Sequence, residues 1–501
     1  MHRVFVFLVA ATGLVFATMV APAQSPDIGA GQFVAKMALD HDGDDGGGND
    51  GGGGNGPGLG SPEAWAWTQL TDEGTQVRYV TPQSTCPRVL FTNAGGQTAS
   101  RSMTQVSTVG QFPTTATVCT RLVSLGVTAA RIDTTTTGSV VVRPTADGTV
   151  PLPRWTPAQR PATITVIGDT GCRVISATDH QNCATQWPLQ PLATSAATSP
   201  VAPDLVIHVG DYIYRSDTQV YPTSTCGGAR ISMSDHTWGC LVTDFFRPSS
   251  SLLAQAPLVF VRGNHETCGR SGEVWFRYQA NSLRGNGSCS DYTDPVRISA
   301  GTLGLLLFDS SCSGDDSNTC SQTQPQQLTQ YTRQFNNVNT LARPGDFLLS
   351  HVPIWMVNGM TPTLGNPEWI DKDLEAATAA TAQGSLSSNI SLVLSGHAHM
   401  YQRLDFGNNT PMGMYRPAQL TVGSSGTELD NQTWQDSALL GKPVDGVAIG
   451  HLVTHDRFGY AVLGDTGTSW VHGFYNPAGT RIGGMCVLTR NTTGAEFPCG
   501  P

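Results

Sequence analysis

Five short polar clusters, each directly behind an apolar run, constrain this chain more than anything else in it. Gly168-Asp169-Thr170-Gly171 follows the run 162–167, and Gly210-Asp211-Tyr212-Ile213-Tyr214 follows 204–209. Gly263-Asn264-His265-Glu266 follows 257–261, Ser350-His351 follows 345–349, and Gly396-His397-Ala398-His399 follows 391–394. Short apolar runs rich in β-branched residues read as strands buried on both faces. Each run then breaks into glycine and a polar residue, and ligands of open α/β sheets collect beyond the carboxyl ends of strands. Five such loops meeting in one place would bring together carboxylates, a phenol, an amide and imidazoles. Those are the donors of a pair of adjacent metal ions. His397 and His399 stand two apart, so in an extended segment both rings face the same side.

As an ordered set, these blocks resemble those of the calcineurin-like metallophosphoesterases, and within them most nearly the purple acid phosphatase branch, over about residues 160 to 490. That branch is marked by D-x-G in the first block, here Asp169-Thr170-Gly171, and by G-D-x-x-Y in the second, with Tyr214 at the tyrosine. Other members carry D-x-H, and Gly171 stands where that histidine would be. Leu348 replaces the usual Val of V-x-x-H. The resemblance implies a four-layer α/β/β/α sandwich preceded by a smaller N-terminal β domain. It implies one metal held by Asp169, Asp211, Tyr214 and His399, a second held by Asp211, Asn264, His351 and His397, and Asp211 bridging them. A phenolate favours iron(III), while two imidazoles and an amide oxygen suit zinc, manganese or iron(II).

The implied reaction is hydrolysis of small phosphate monoesters, with water bound to the metals as nucleophile. His265 is the implied general acid, a role worth about 10²–10⁴-fold in rate. Glu266 either orients His265 or pairs with a nearby arginine. Arg403 either contacts substrate phosphate through its planar fork or forms a salt bridge that rigidifies its loop. Two alternatives accompany this reading: a phosphodiesterase or nucleotidase of the same fold, and a non-catalytic secreted binding protein that retains it.

Letters alone do not make a site. Gly464-Asp465-Thr466-Gly467 repeats the first block but lies between two alternating apolar runs, so it reads as a β-hairpin turn. His208, His236, His451, His455 and His472 belong to no block and read as core or surface residues.

The N-terminus sets the expected compartment. Met1-His2-Arg3, an apolar stretch and Ala21-Pro22-Ala23 form a secretory signal with cleavage after Ala23, giving a secreted or periplasmic protein without a membrane span. The 12 cysteines fall as near neighbours. Sequential pairing would join Cys86 to Cys119, Cys172 to Cys183, Cys226 to Cys240, Cys268 to Cys289, Cys312 to Cys320 and Cys486 to Cys499. Residues 24–61 read as a Gly/Asp-rich disordered linker, with the small β domain expected over 62–158 and the catalytic domain over 159–501. Charged residues make up only 13% and the formal net charge is −10, which argues against an obligatory nucleic-acid partner. Helices are expected over 326–335 and 371–377.

Overall fold

The five motif strands divide between two sheets. In the computed structural model the described residues are 62–106, 116–175, 180–198, 202–215, 237–285, 288–313, 320, 324–361, 364–370, 372–490 and 494–499. The expected signal and linker at 1–61, together with Cys226 and His236, lie outside them. In the first, twelve-stranded sheet, Thr163–Ile167, Leu205–His208 and Leu258–Phe260 run side by side in parallel. In the second, seven-stranded sheet, Leu303–Leu307, Asp346–Leu349, Ile390–Ser395 and Ala418–Val422 do the same.

Period-two alternation explains how the sheets stack. Ile164, Val166, Leu205, Ile207 and Val259 point inward and meet Leu305, Phe347, Leu349, Leu392 and Leu394 of the other sheet. The alternate residues Ile167, Val206 and Phe260 turn outward onto the helices Leu189–Thr198 and Ser250–Gln255. Leu306, Leu348 and Val393 turn outward onto the helices Gln324–Leu341 and Lys372–Ala379. The result is the expected α/β/β/α order of four layers. Each fully buried aliphatic side chain here contributes about 1.5–3 kcal/mol, and the Leu348 substitution is one of them, facing helix rather than site.

The N-terminal strands continue the first sheet. Glu63–Thr71 runs parallel to Leu258–Phe260 with Gln69 opposite Leu258, then pairs with Gly74–Thr81, which pairs with Thr117–Leu122. A separate four-stranded sheet joins Thr98–Ser102, Arg88–Asn93, Val127–Ile132 and Thr149–Val150. The described residues form one compact unit.

Among the described residues five of the expected disulfides are found, Cys86–Cys119, Cys172–Cys183, Cys268–Cys289, Cys312–Cys320 and Cys486–Cys499, and the Cys226 pairing lies outside them. Cys240 is also disulfide-bonded. The hairpin reading of the repeated motif holds, since Tyr460–Asp465 pairs antiparallel with Trp470–Tyr475 and Asp465 faces Trp470. The helix expected over 326–335 runs on to Leu341. Asn336, Asn339 and Thr340 are weak helix formers, but Tyr331, Phe335 and Val338 pack on the second sheet and carry the helix through them. Among the described residues no helix is long and apolar enough to cross a membrane.

Candidate metal centre

The five blocks meet beyond the carboxyl ends of their strands. The first sheet delivers Asp169, Asp211, Tyr214, Asn264 and His265, and the second delivers His351, His397 and His399. Only four non-glycine residues described have φ in the left-handed region, and three are in these loops: Asp169 (φ 55°), Asp211 (φ 60°) and His397 (φ 72°). Aspartate tolerates that conformation better than most residues. Backbone held there at a cost is characteristic of functional loops.

Two donor groups share one oxygen. Tyr214 donates its hydroxyl to Asp169 Oδ1 and to Asp211 Oδ2, both at 2.8 Å, and its oxygen lies 3.1 Å from His399 Nε2. On the other side, Asn264 Oδ1 lies 2.8 Å from His351 Nε2 and 3.0 Å from His397 Nδ1. Asp211 Oδ2 is 3.2 Å from His351 Nε2 and so belongs to both groups. One oxygen or nitrogen from each of Asp169, Asp211 and His351 lies within 4.8 Å of the others. Donors around an ion at about 2.0–2.2 Å sit about 3 Å from one another, which is the spacing found.

Burial grades the site. Asp169, Asp211, Tyr214, Asn264 and His351 are fully enclosed, whereas His265, His397 and His399 are only partly covered. The three half-covered imidazoles therefore mark the face that solvent and a ligand can reach. The His265 ring lies against Tyr214, centroids 4.0 Å apart, with Nε2 3.9 Å from Asp211 Oδ2.

The ring orientations follow from backbone carbonyls, which can only accept. His351 Nδ1–H donates to Val209 O at 2.8 Å, which turns Nε2 toward Asp211 and Asn264. His265 Nδ1–H donates to Ile213 O at 2.9 Å, which leaves Nε2, 3.9 Å from Asp211 Oδ2, as the nitrogen not engaged by backbone. Fixing the far nitrogen in this way sets which one can ligate or carry a proton.

Charge in the cluster is arranged around Asp211. Burial alone would raise its carboxyl, but the His351 and His265 imidazoles outweigh burial and hold it well below the usual range. Burial opposes charge on His351 too, yet Asp211 and then Asp169 lift that imidazole to about 9. Burial, reinforced by Asp211, drives Asp169 well above the carboxylate range. Burial and the charges of Asp169 and Asp211 push the Tyr214 phenol up. Burial and the His351 charge push His397 down to about 3. The directions oppose one another across the cluster, with Asp211 held down and Asp169, Tyr214 and His351 pushed up. Such crowding of lone pairs is what a bound cation relieves.

Two glycines make the room. A Cβ at Gly171 would lie 2.7 Å from Tyr212 O and 3.0 Å from Tyr214 Cδ2, so the D-x-G block leaves space for the Tyr214 ring. Gly210 has φ 105°, and a Cβ there would strike the His351 ring.

Glu266 and Arg403 take other places than expected. The Glu266 carboxylate neither orients His265 nor meets an arginine. It accepts from the backbone N–H groups of Asp211 (3.1 Å), Tyr212 (3.1 Å) and Gly263 (3.0 Å), pinning the Asp211 backbone in its left-handed turn. Burial and the nearby Asp211 charge raise Glu266 to about 7. Arg403 contacts neither the site nor a carboxylate partner; it is buried under its strand, where Nη1 donates to Phe497 O. Tyr401 fills the crevice between the sheets, stacked on Phe474 at 4.2 Å and bonded to His472 Nε2 at 2.7 Å. His208 is core, bonded to Thr170 Oγ1 at 2.8 Å and stacked on Tyr212.

The sequence carried no sign of three further contributors. Asp430 Oδ2 accepts from the His399 N–H at 2.8 Å, from a loop with no motif. Ser310 Oγ accepts from the His351 N–H at 3.1 Å. Half-buried Arg270, in Cys268-Gly269-Arg270, sits close enough to lower both His265 and His397 after burial has done so.

Residues 162–401 match the calcineurin-like phosphoesterase family. Among solved structures the chain resembles one described as PhoD, with 15% identity, a TM-score of 0.53, and coverage of 88% of this chain and 93% of that one. It also resembles the purple acid phosphatase PPD1 from yellow lupin (Lupinus luteus) seeds, with 11% identity, a TM-score of 0.47, and coverage of 84% and 73%. At these identities the PhoD likeness is one of fold. No curated protein matches the chain.

Proposed function

We propose that this chain, which over residues 162–401 belongs to the calcineurin-like phosphoesterases, hydrolyses phosphate monoesters at a binuclear metal centre in the manner of an acid phosphatase. The observation that carries this reading is the place of Asp211 Oδ2, 2.8 Å from Tyr214 Oη and 3.2 Å from His351 Nε2, between two donor groups. Asp169, Tyr214 and His399 with Asp211 are the ligands of one ion. Asn264, His351 and His397 with Asp211 are the ligands of the other. The phenol side fits iron(III), and the imidazole–amide side fits zinc, manganese or iron(II). When bound, two such ions supply charge neutralisation for the ester and a nucleophilic water at neutral pH.

The chain's own side chains do the rest. His265 Nε2 holds the proton for the departing alkoxide, and Ile213 O fixes the ring for that purpose. Burial lowers the His265 pKa well below its ordinary value, against the pull of Asp211. The acid-competent form is therefore populated at low pH and lost as pH rises through that pKa, which supports an acidic optimum. An anionic ester beside the ring raises it again. Glu266 acts through Asp211, by holding the backbone that aims its carboxylate. The disulfides and the N-terminal sequence support a secreted or periplasmic location.

The test is turnover of 4-nitrophenyl phosphate against bis(4-nitrophenyl) phosphate, on protein whose metals have been quantified. We expect two ions per chain, preferential monoester cleavage, and loss of activity on chelation with recovery on metal addition. Preferential diester cleavage would replace the monoesterase by a diesterase. Bound metal without any turnover would leave a binding protein. Ligation by Tyr214 has its own readout. Iron-loaded protein should absorb in the visible through the phenolate, and Tyr214→Phe should remove that band. A band that persists in Tyr214→Phe excludes Tyr214 as a ligand.

A further inference from the structure

A cavity of about 420 Å³ opens beside the strand Leu258–Phe260, walled by residues 280–284, the strand Leu303–Leu307 and the helix Gln324–Leu341. Its size falls within the roughly 300–1,000 Å³ of small-molecule sites. Phe260, Trp275, Phe276, Leu307 and Phe308 give it an apolar wall. Three arginines and two aspartates supply its charge. Arg262 pairs with Asp309 at 3.0 Å and Arg333 with Asp294 at 2.9 Å. Arg284 makes no direct ion pair with a carboxylate among the described residues, and Asp309, already paired with Arg262, acts on it from farther away. Arg284 donates through Nη1 to Ser288 O at 3.0 Å, and its guanidinium lies over the Phe276 ring at 4.1 Å. Arg262 lies over the same ring at 4.8 Å, so two cations flank one phenylalanine and share the single carboxylate of Asp309. Burial, and then the Arg262 charge, disfavour the charge on Arg284, and Asp309 only partly offsets them. A half-buried guanidinium with no ion pair of its own is a binding site for an oxyanion, and its planar fork matches a carboxylate.

We propose that this cavity binds a compact organic monocarboxylate, its apolar body against Phe276 and Leu307 and its carboxylate on Arg284. The lining carries one more arginine than aspartates, so a single negative charge balances it. Asp294 and Asp309 disfavour a doubly charged phosphate at the same place. The site is distinct from the metal centre but joined to it, because Arg262 Nε donates to Glu266 O at 2.9 Å.

Titration calorimetry on the full chain tests this with phenylacetate and its neutral isostere phenylacetamide. Phenylacetate should bind with a Kd tighter than about 1 mM and at least about tenfold tighter than the amide. Arg284→Ala should weaken phenylacetate about tenfold or more, Arg284→Lys should retain part of the affinity, and 4-nitrophenyl phosphate turnover should stay unchanged in both. If Arg284→Ala does not fold, Ser282→Trp, at an exposed lining position, should block binding instead. Inorganic phosphate should leave phenylacetate binding intact; displacement by phosphate would place the acid at the metal centre and overturn the proposal. Equal affinity for acid and amide, absence of binding heat, or indifference to Arg284→Ala and Ser282→Trp would overturn it as well. Apart from the turnover control, none of these readouts requires the phosphatase reading to hold.

Discussion

Asp211→Asn should lose both metal ions and lower monoester turnover by at least about 10²–10³-fold, the scale on which a single charge-stabilising group acts. Asparagine tolerates left-handed backbone as aspartate does, so the φ of 60° at this position is not the cause of the loss. What changes is one oxygen's charge, and that oxygen faces both donor groups. Removing it also leaves the His351 imidazole without the partner that lifts it to about 9. A broken buried ion pair costs about 3–5 kcal/mol, so the metal-free variant should melt earlier than metal-free wild type. Metal content per chain by elemental analysis is the deciding measurement. Retention of two ions with normal turnover would remove Asp211 from the bridging position. Loss of a single ion would make it a ligand of one site only.

His265→Ala is the second large effect, and it should separate from the first. Its Nε2 stands 3.9 Å from Asp211 Oδ2, outside the spacing shared by the two donor groups. Metal content should therefore be unchanged. Turnover should fall by about 10²–10⁴-fold for alkyl phosphates, whose leaving oxygens need a proton. It should fall much less for 4-nitrophenyl phosphate, whose leaving group departs as a stable anion. The alkaline limb of the pH–rate profile that belongs to His265 should vanish. An equal loss across leaving groups would mean that the ring positions substrate or water and gives up no proton.

The features legible in the sequence were those that local chemistry fixes. Each motif strand shows as an apolar run because both of its faces are buried, Ile164 and Val166 on one side and Ile167 on the other. The meeting of the blocks followed from their order and from the strand ends that carry them. Near-neighbour cysteine pairing was readable because short loops close easily. What could not be read depends on partners far along the chain. Glu266 lies next to His265, and proximity in sequence suggested a role there, yet its oxygens turn to backbone N–H groups 54 and 55 residues away. Arg403 lies four residues beyond a candidate ligand, but a strand period carries it to the opposite end, under the C-terminal segment. Asp430 and Ser310 sit in loops with no pattern, and only packing brings them to His399 and His351. The two Gly-Asp-Thr-Gly segments differ in the same way. They end neighbouring strands that run antiparallel, so identical letters lie at opposite ends of the sheet.

Because Asp169, Asp211, Tyr214 and Asn264 ride on one sheet and His351, His397 and His399 on the other, neither half of the sandwich carries the whole proposed donor set. Ion uptake during refolding should therefore act as a clock for the moment when the sheets dock. Stopped-flow detection of metal capture would time that late, long-range event apart from the earlier growth of helices and hairpins.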